Sequence, residues 1–155
     1  MFGRKKRRER ELADALAGDA PYDRLLTAIH GGAHTVIDGD AVARYGWPHL
    51  STNEQRNALI DYCRTMAKVV SVDASVICVF FDQTVDDAVP RSKAITIEAA
   101  EDRNAAAERA LEAIELAEMS VAVWGNDPNA ASLRAAGATV FALDDLLDGF
   151  LDLPA

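Results

Sequence analysis

Residues 74–81 read ASVICVFF, an almost unbroken apolar run. A strand with apolar side chains on both faces must be covered on both faces, which is the situation of a strand inside a parallel sheet flanked by helices. The neighbouring segments extend this pattern. Residues 34–37, HTVI, form a second β-branched run, and STNEQRNALIDYCRTMAKVV, residues 51–70, lies between the two. In that segment Ser51 and Glu54 have capping-box spacing, and Leu59, Cys63, Met66 and Val70 share one helical face. A strand, helix, strand unit of this kind makes its two strands parallel. AITI at 94–97 then precedes a helix from about 100 to 118 with Ala107, Leu111 and Ile114 on one face. SVAVW at 120–124 leads through GNDP to a helix ended by Gly137, and TVFA is followed by the helical LDDLLDGFL. The alternation predicts an α/β fold, a three-layer sandwich with a mainly parallel central sheet.

The chain has 155 residues, half of them hydrophobic, which suits one compact domain. Residues 34–155 carry the alternating pattern. Residues 1–33 read as a basic arm followed by two short helices, ERELADALAG closed by Gly18 and PYDRLLTAI opened by Pro21. Six of the sixteen Lys and Arg residues fall in the first ten positions, so residues 11–155 hold ten basic against twenty-four acidic residues, a net of −14. An acidic body disfavours broad, sequence-independent duplex binding, while the arm can either anchor to nucleic acid or a protein partner, or serve as a solvated tail. Without an apolar stretch of membrane-spanning length, or one behind MFGRKKRRER, the expectation is a cytoplasmic protein with no membrane partner. Cys63 and Cys78 fit two buried, reduced thiols better than a disulfide or a metal site.

In an open parallel sheet, ligands collect outside the carboxyl ends of the strands. Acids stand at three of these ends: Asp38 and Asp40 after the first strand, Asp82 after the second, and Asp127 after 120–124. Glu101 and Asp102 open the helix that follows 94–97. Converging carboxylates repel one another unless a cation sits among them, and hard oxygen ligands select Mg2+ or Mn2+, ions that activate water against phosphodiesters. Each acid also has an ordinary structural role. Asp127 before Pro128 is a helix cap, Glu101 and Asp102 suit a helix N-terminus, and Asp38, Asp40 and Asp82 suit turns.

Read as an ordered series, VIDGDAVARYGWPHLSTNEQRNALIDYCRTMAKVVSVDASVICVFFD, then EAAED, then VAVWGNDPNAASLRAAGATVFALDDLL resembles the NYN domain of the PIN-like ribonuclease superfamily, in its YacP-like branch. The resemblance spans about residues 34–150. It implies a PIN-like fold and divalent-metal cleavage of RNA by an acidic site made of Asp38, Asp82, Asp102 and Asp127, with Asp40 and Glu101 as further acids. Three departures stand out. Asp40 and Ala41 replace the family's Tyr-Asn after Asp-Gly, Arg103 and Asn104 follow the third acidic motif, and Gly125 and Asn126 replace small hydroxyl residues before Asp127. Arg44, Arg91, Lys93 and Arg103 are candidate phosphate contacts. Tyr45 and Trp47 in RYGWPH are candidates for stacking on a base, although packing against the domain edge suits Trp47 better, and Trp124 reads as core.

The leading expectation is therefore a metal-dependent endoribonuclease. The alternative is a catalytically weakened NYN-like module that binds RNA or a protein partner. A third reading, a haloacid-dehalogenase-like phosphatase, takes VIDGDA as an Asp-x-Asp motif, but Gly-Thr does not follow Asp40 and the late acidic motif lacks its second aspartate. A phosphorylated receiver is weaker still, because no lysine follows the last strand.

Overall fold

The structure, a computed structural model, describes residues 20–70, 77–81, 95–125 and 127–147. The basic arm, the segment ERELADALAG, Asp82, Arg91 and Lys93 lie outside the described residues. Five strands form one parallel sheet in the order β3-β2-β1-β4-β5: β1 His34–Asp38, β2 Ile77–Phe81, β3 Ile95–Ala99, β4 Ser120–Val123 and β5 Thr139–Phe141. The chain builds outward from β1 to β3 on one side, then crosses back to place β4 on the other side of β1. The change of direction falls between β1 and β4, so their carboxyl ends frame the switch-point crevice.

Side-chain alternation along the strands divides the core into two layers. Ile37, Ile77, Val79, Phe81, Val121 and Val123 face one way. That layer is closed by α1 (Pro21–His30), α2 (Gly39–Gly46), α3 (Thr52–Val69) and α6 (Leu143–Leu147). Val36, Cys78, Phe80, Ala122 and Trp124 face the other way, under α4 (Arg103–Leu116) and α5 (Pro128–Ala135). Helix α1 buries Leu25, Leu26 and Ile29 in the first layer and is integral to it. The contact face of α4 is made of Ala106, Ala107, Ala110 and Ile114, while Leu111 is only partly buried. Small side chains at these positions let the helix lie close over the central strands.

The capping box at the start of α3 forms as expected: the Glu54 backbone N–H donates to Ser51 Oγ, and the Ser51 N–H donates to Glu54 Oε1. Leu59, Cys63, Met66 and Val70 are all fully buried. Two expectations need correction. The chain enters α2 directly after β1, where Asp38, Gly39 and Asp40 suit a turn, and α4 starts at Arg103 rather than near residue 100 because β3 runs on through Ala99.

Gly39 explains the tight passage from β1 to α2. A Cβ there would lie 2.6 Å from the Phe80 carbonyl oxygen and 2.8 Å from the Phe81 ring. Only glycine lets the first turn of α2 pass against β2.

Candidate functional site

Asp38 ends β1 and is 1% exposed. Its position is the N-cap of α2, yet its side chain makes no cap hydrogen bond. The carboxylate instead meets Arg103, the first residue of α4. Nη1 donates to Oδ1 at 3.0 Å, and Nη2 lies 2.8 Å from Oδ2. The Gly125 backbone N–H donates a longer bond to Oδ2, at 3.4 Å.

Asp127 approaches the same guanidinium from the far side of the crevice, beyond β4. Its two oxygens divide the work. Oδ1 accepts from the backbone N–H groups of Asn129 and Ala130, capping α5, with Pro128 at the first helical position. Oδ2 accepts from Arg103 Nε at 2.9 Å and Nη2 at 2.5 Å. Arg103 therefore bridges acids from two strand ends that face each other across the switch point. Its guanidinium also lies 6.0 Å from the centre of the Trp124 ring.

Glycine at 125 leaves the room for this bridge. A Cβ there would stand 3.2 Å from Arg103 Nη2 and 3.6 Å from Asp38 Oδ2. The electrostatics are those of a strong local pairing. Burial works against the charged guanidinium, but hydrogen bonds and charge from Asp127 and Asp38 outweigh it and hold the Arg103 pKa above its ordinary value. Burial likewise raises the Asp127 carboxyl, and is outweighed by Arg103 and by the N–H groups of Ala130 and Asn129, so its pKa falls below the usual carboxylate value.

The other predicted acids are placed differently. Asp40, in the first turn of α2, is 6% exposed, and its carboxylate takes two bonds from Arg56 of α3: Nε to Oδ1 at 2.9 Å and Nη2 to Oδ2 at 3.1 Å. The Arg56 guanidinium stacks 4.9 Å from the centre of the Phe81 ring. Asp102 is exposed and caps α4, accepting from the Ala105 N–H at 2.8 Å. Glu101 is exposed. Among the described residues, no three His, Cys, Asp or Glu side chains come together as a metal-holding group.

Asp38 and Asp127 nevertheless fit a Mg2+ or Mn2+ ion in donor chemistry. They are hard oxygen donors converging from two separate strand ends on one positively charged group, and such ions are commonly held by one or two carboxylates with water and substrate phosphate completing the shell. Those two residues would hold the ion, which would supply charge neutralisation and an activated water. Arg103 meets the oxygens that such an ion would use.

The remaining candidates sort by burial. Arg44 is exposed in the last turn of α2, and Tyr45 is 57% exposed. Trp47 packs edge-on against Tyr62, with ring centres 6.3 Å apart, and its carbonyl accepts from Gln55, so it is an edge-packing residue. Trp124 is 2% exposed, a core residue as expected. Beside the crevice, at the ends of β4 and β5, a hollow of about 520 Å³ is lined by Tyr45, Trp124, Arg134, Phe141, Asp144 and Asp145 among others. A second hollow of about 420 Å³ lies between α4 and the outer strands and includes His34, four residues from Asp38 at the opposite end of β1. Its lining runs along the sheet as far as Phe80, the register partner of Asp38, and carries Glu98, Arg109 and Glu112. Burial pushes the Cys63 thiol up to about 12, and burial with the charge of Glu98 does the same at Cys78, so neither is a nucleophile.

Sequence reasoning missed the Asp40–Arg56 pair, although a signal was present. Arg56 lies three residues before Leu59 and seven before Cys63, on the apolar face of α3, and a charge on such a stripe calls for a buried partner. Comparison of the chain with known protein families, with curated proteins and with solved structures finds no match.

Proposed function

We propose that this chain is a divalent-metal-dependent endoribonuclease of the PIN-like kind, acting in the crevice between the ends of β1 and β4. One observation carries the reading: Asp38 and Asp127, from opposite sides of the switch point, converge on a single cationic group. Carboxylates so placed suit an ion that neutralises charge developing on a phosphodiester and lowers the pKa of a bound water. The N-termini of α4 and α5 both open toward these acids, and their dipoles favour an approaching phosphate. The neighbouring hollow, with exposed Tyr45 and with Arg134, offers a stacking surface and a phosphate contact for a single strand. RNA is the proposed partner and Mg2+ or Mn2+ the proposed cofactor.

Arg103 favours a second reading, in which the same crevice binds RNA or a protein without cleaving. A guanidinium already pairs with both acids there. The phosphatase reading loses its support, because Asp40, the second acid of its Asp-x-Asp motif, is held in a buried ion pair with Arg56. Incubating a mixed RNA pool with Mn2+ and wild type, Asp38→Asn or Asp127→Asn separates the first two. Cleavage by wild type that both substitutions abolish supports the nuclease. RNA binding without cleavage in all three proteins supports the binding module, and cleavage that persists in Asp38→Asn refutes the assigned site.

A further inference from the structure

Arg103 is the largest departure from an open two-carboxylate metal site, and its surroundings are built for it. Asp38 is almost fully buried, so in the absence of another cation it needs a counter-charge inside the protein. Arg103 supplies it by a two-pronged contact with Asp38 and two further contacts with Asp127. Residue 125 has no side chain where a Cβ would press within 3.2 Å of the guanidinium. At the same time Arg103 is not locked in. Its side chain is 32% exposed, it leaves from the first turn of a helix, and it has open solvent on one side. A divalent ion held by Asp38 and Asp127 would need the oxygens that this guanidinium meets.

We infer that Arg103 is a resident counter-ion that competes with the divalent metal for Asp38 and Asp127, so that metal entry requires the guanidinium to swing out of the crevice. The inference rests on the proposed metal site and extends it. Once displaced, the guanidinium stays tethered at the mouth of the crevice, where it can pair with a substrate phosphate instead of the carboxylates. Metal binding alone then works against the Arg103 contacts. Metal with a phosphodiester present regains an anionic partner for Arg103, so metal and nucleic acid bind cooperatively.

Mn2+ affinity measured by calorimetry in the absence of nucleic acid tests this directly, without reference to activity. Arg103→Ala should bind Mn2+ at least tenfold more tightly than wild type. Gly125→Ala, which crowds the guanidinium while leaving every charge in place, should tighten binding by a smaller factor. Trp124 gives a second readout. In a Trp47→Phe background, where it is the single tryptophan, Mn2+ should change its emission as Arg103 leaves the ring, and Arg103→Ala should abolish that change. Unchanged or weaker Mn2+ binding in Arg103→Ala and Gly125→Ala, with wild type still binding in an Asp38-dependent way, overturns the competition and leaves the metal site standing. Failure of every variant to bind Mn2+, Arg103→Ala included, overturns the metal site and the competition together.

Discussion

Removing Arg56 tests whether Asp40 belongs to the architecture or to the chemistry. The pair is closed to water, with side chains 5% and 8% exposed, and it ties the first turn of α2 to the start of the second turn of α3. Arg56→Met takes away the Nε and Nη2 bonds to Asp40 and removes the Arg56 charge from beside its buried carboxylate, a type of change that costs about 3–5 kcal/mol. The guanidinium contact with the Phe81 ring disappears as well, so the upper part of that range is expected. For a chain of this size each kcal/mol shifts the melting temperature by about 2–4 °C, which places Arg56→Met roughly 6–20 °C below wild type. Replacing both partners by apolar residues removes the buried charge as well, and Asp40→Leu/Arg56→Met should recover to within about 1.5 kcal/mol of wild type. Urea unfolding followed by circular dichroism gives each value, and Mn2+ titration of the double variant gives the functional half. The double variant should bind Mn2+ as wild type does. An Arg56→Met protein within about 1 kcal/mol of wild type, or a double variant no more stable than the single, refutes the structural assignment of Asp40.

Other substitutions probe neighbouring features. Gly39→Ala places a methyl group 2.6 Å from the Phe80 carbonyl, so it should cost about 1–3 kcal/mol in urea unfolding. Asp127→Ala should lose about 0.5–2 kcal/mol from the α5 cap, whereas Asp127→Asn keeps the cap oxygen but replaces Oδ2 by an amide NH2, losing the charge and both hydrogen bonds from Arg103. The Asp127 carboxyl titrates in the folded protein below its ordinary value of 3.8. Its contribution to stability is therefore fully present above about pH 4 and is lost as pH falls through the lower folded value, so thermal melts of wild type and Asp127→Asn should converge below pH 4. Cys63 and Cys78, with thiols pushed up to about 12, should resist a thiol reagent at pH 8 in the folded protein and react fully in denaturant.

The layers were legible because they depend on patterns local to each segment. A run such as VICVFF fits a strand covered on both faces, and the Ser51–Glu54 box with its apolar stripe fits a helix, whatever lies elsewhere in the chain. Helix α2 was not legible. GDAVARYG begins and ends in glycine and carries few strong helix formers, and what holds it helical is tertiary: Val42 and Ala43 in the core, Asp40 on Arg56, and Gly39 against β2. The acids at the strand ends could be found because topology alone brings strand ends together. Their counter-charge could not, because its position depends on the phase of a helix start. Each residue turns an α-helix by about 100°, so an error of two or three positions at the start of α4 redirects every side chain in its first turn. With the start at Arg103, Asp102 becomes the cap and spends its carboxylate on the Ala105 N–H. Arg103 then reaches Asp38, 65 positions away, and Asp127, 24 positions away. A boundary that matters little to the fold thus decides whether the third motif brings the crevice another acid or the cation that pairs with the acids already there.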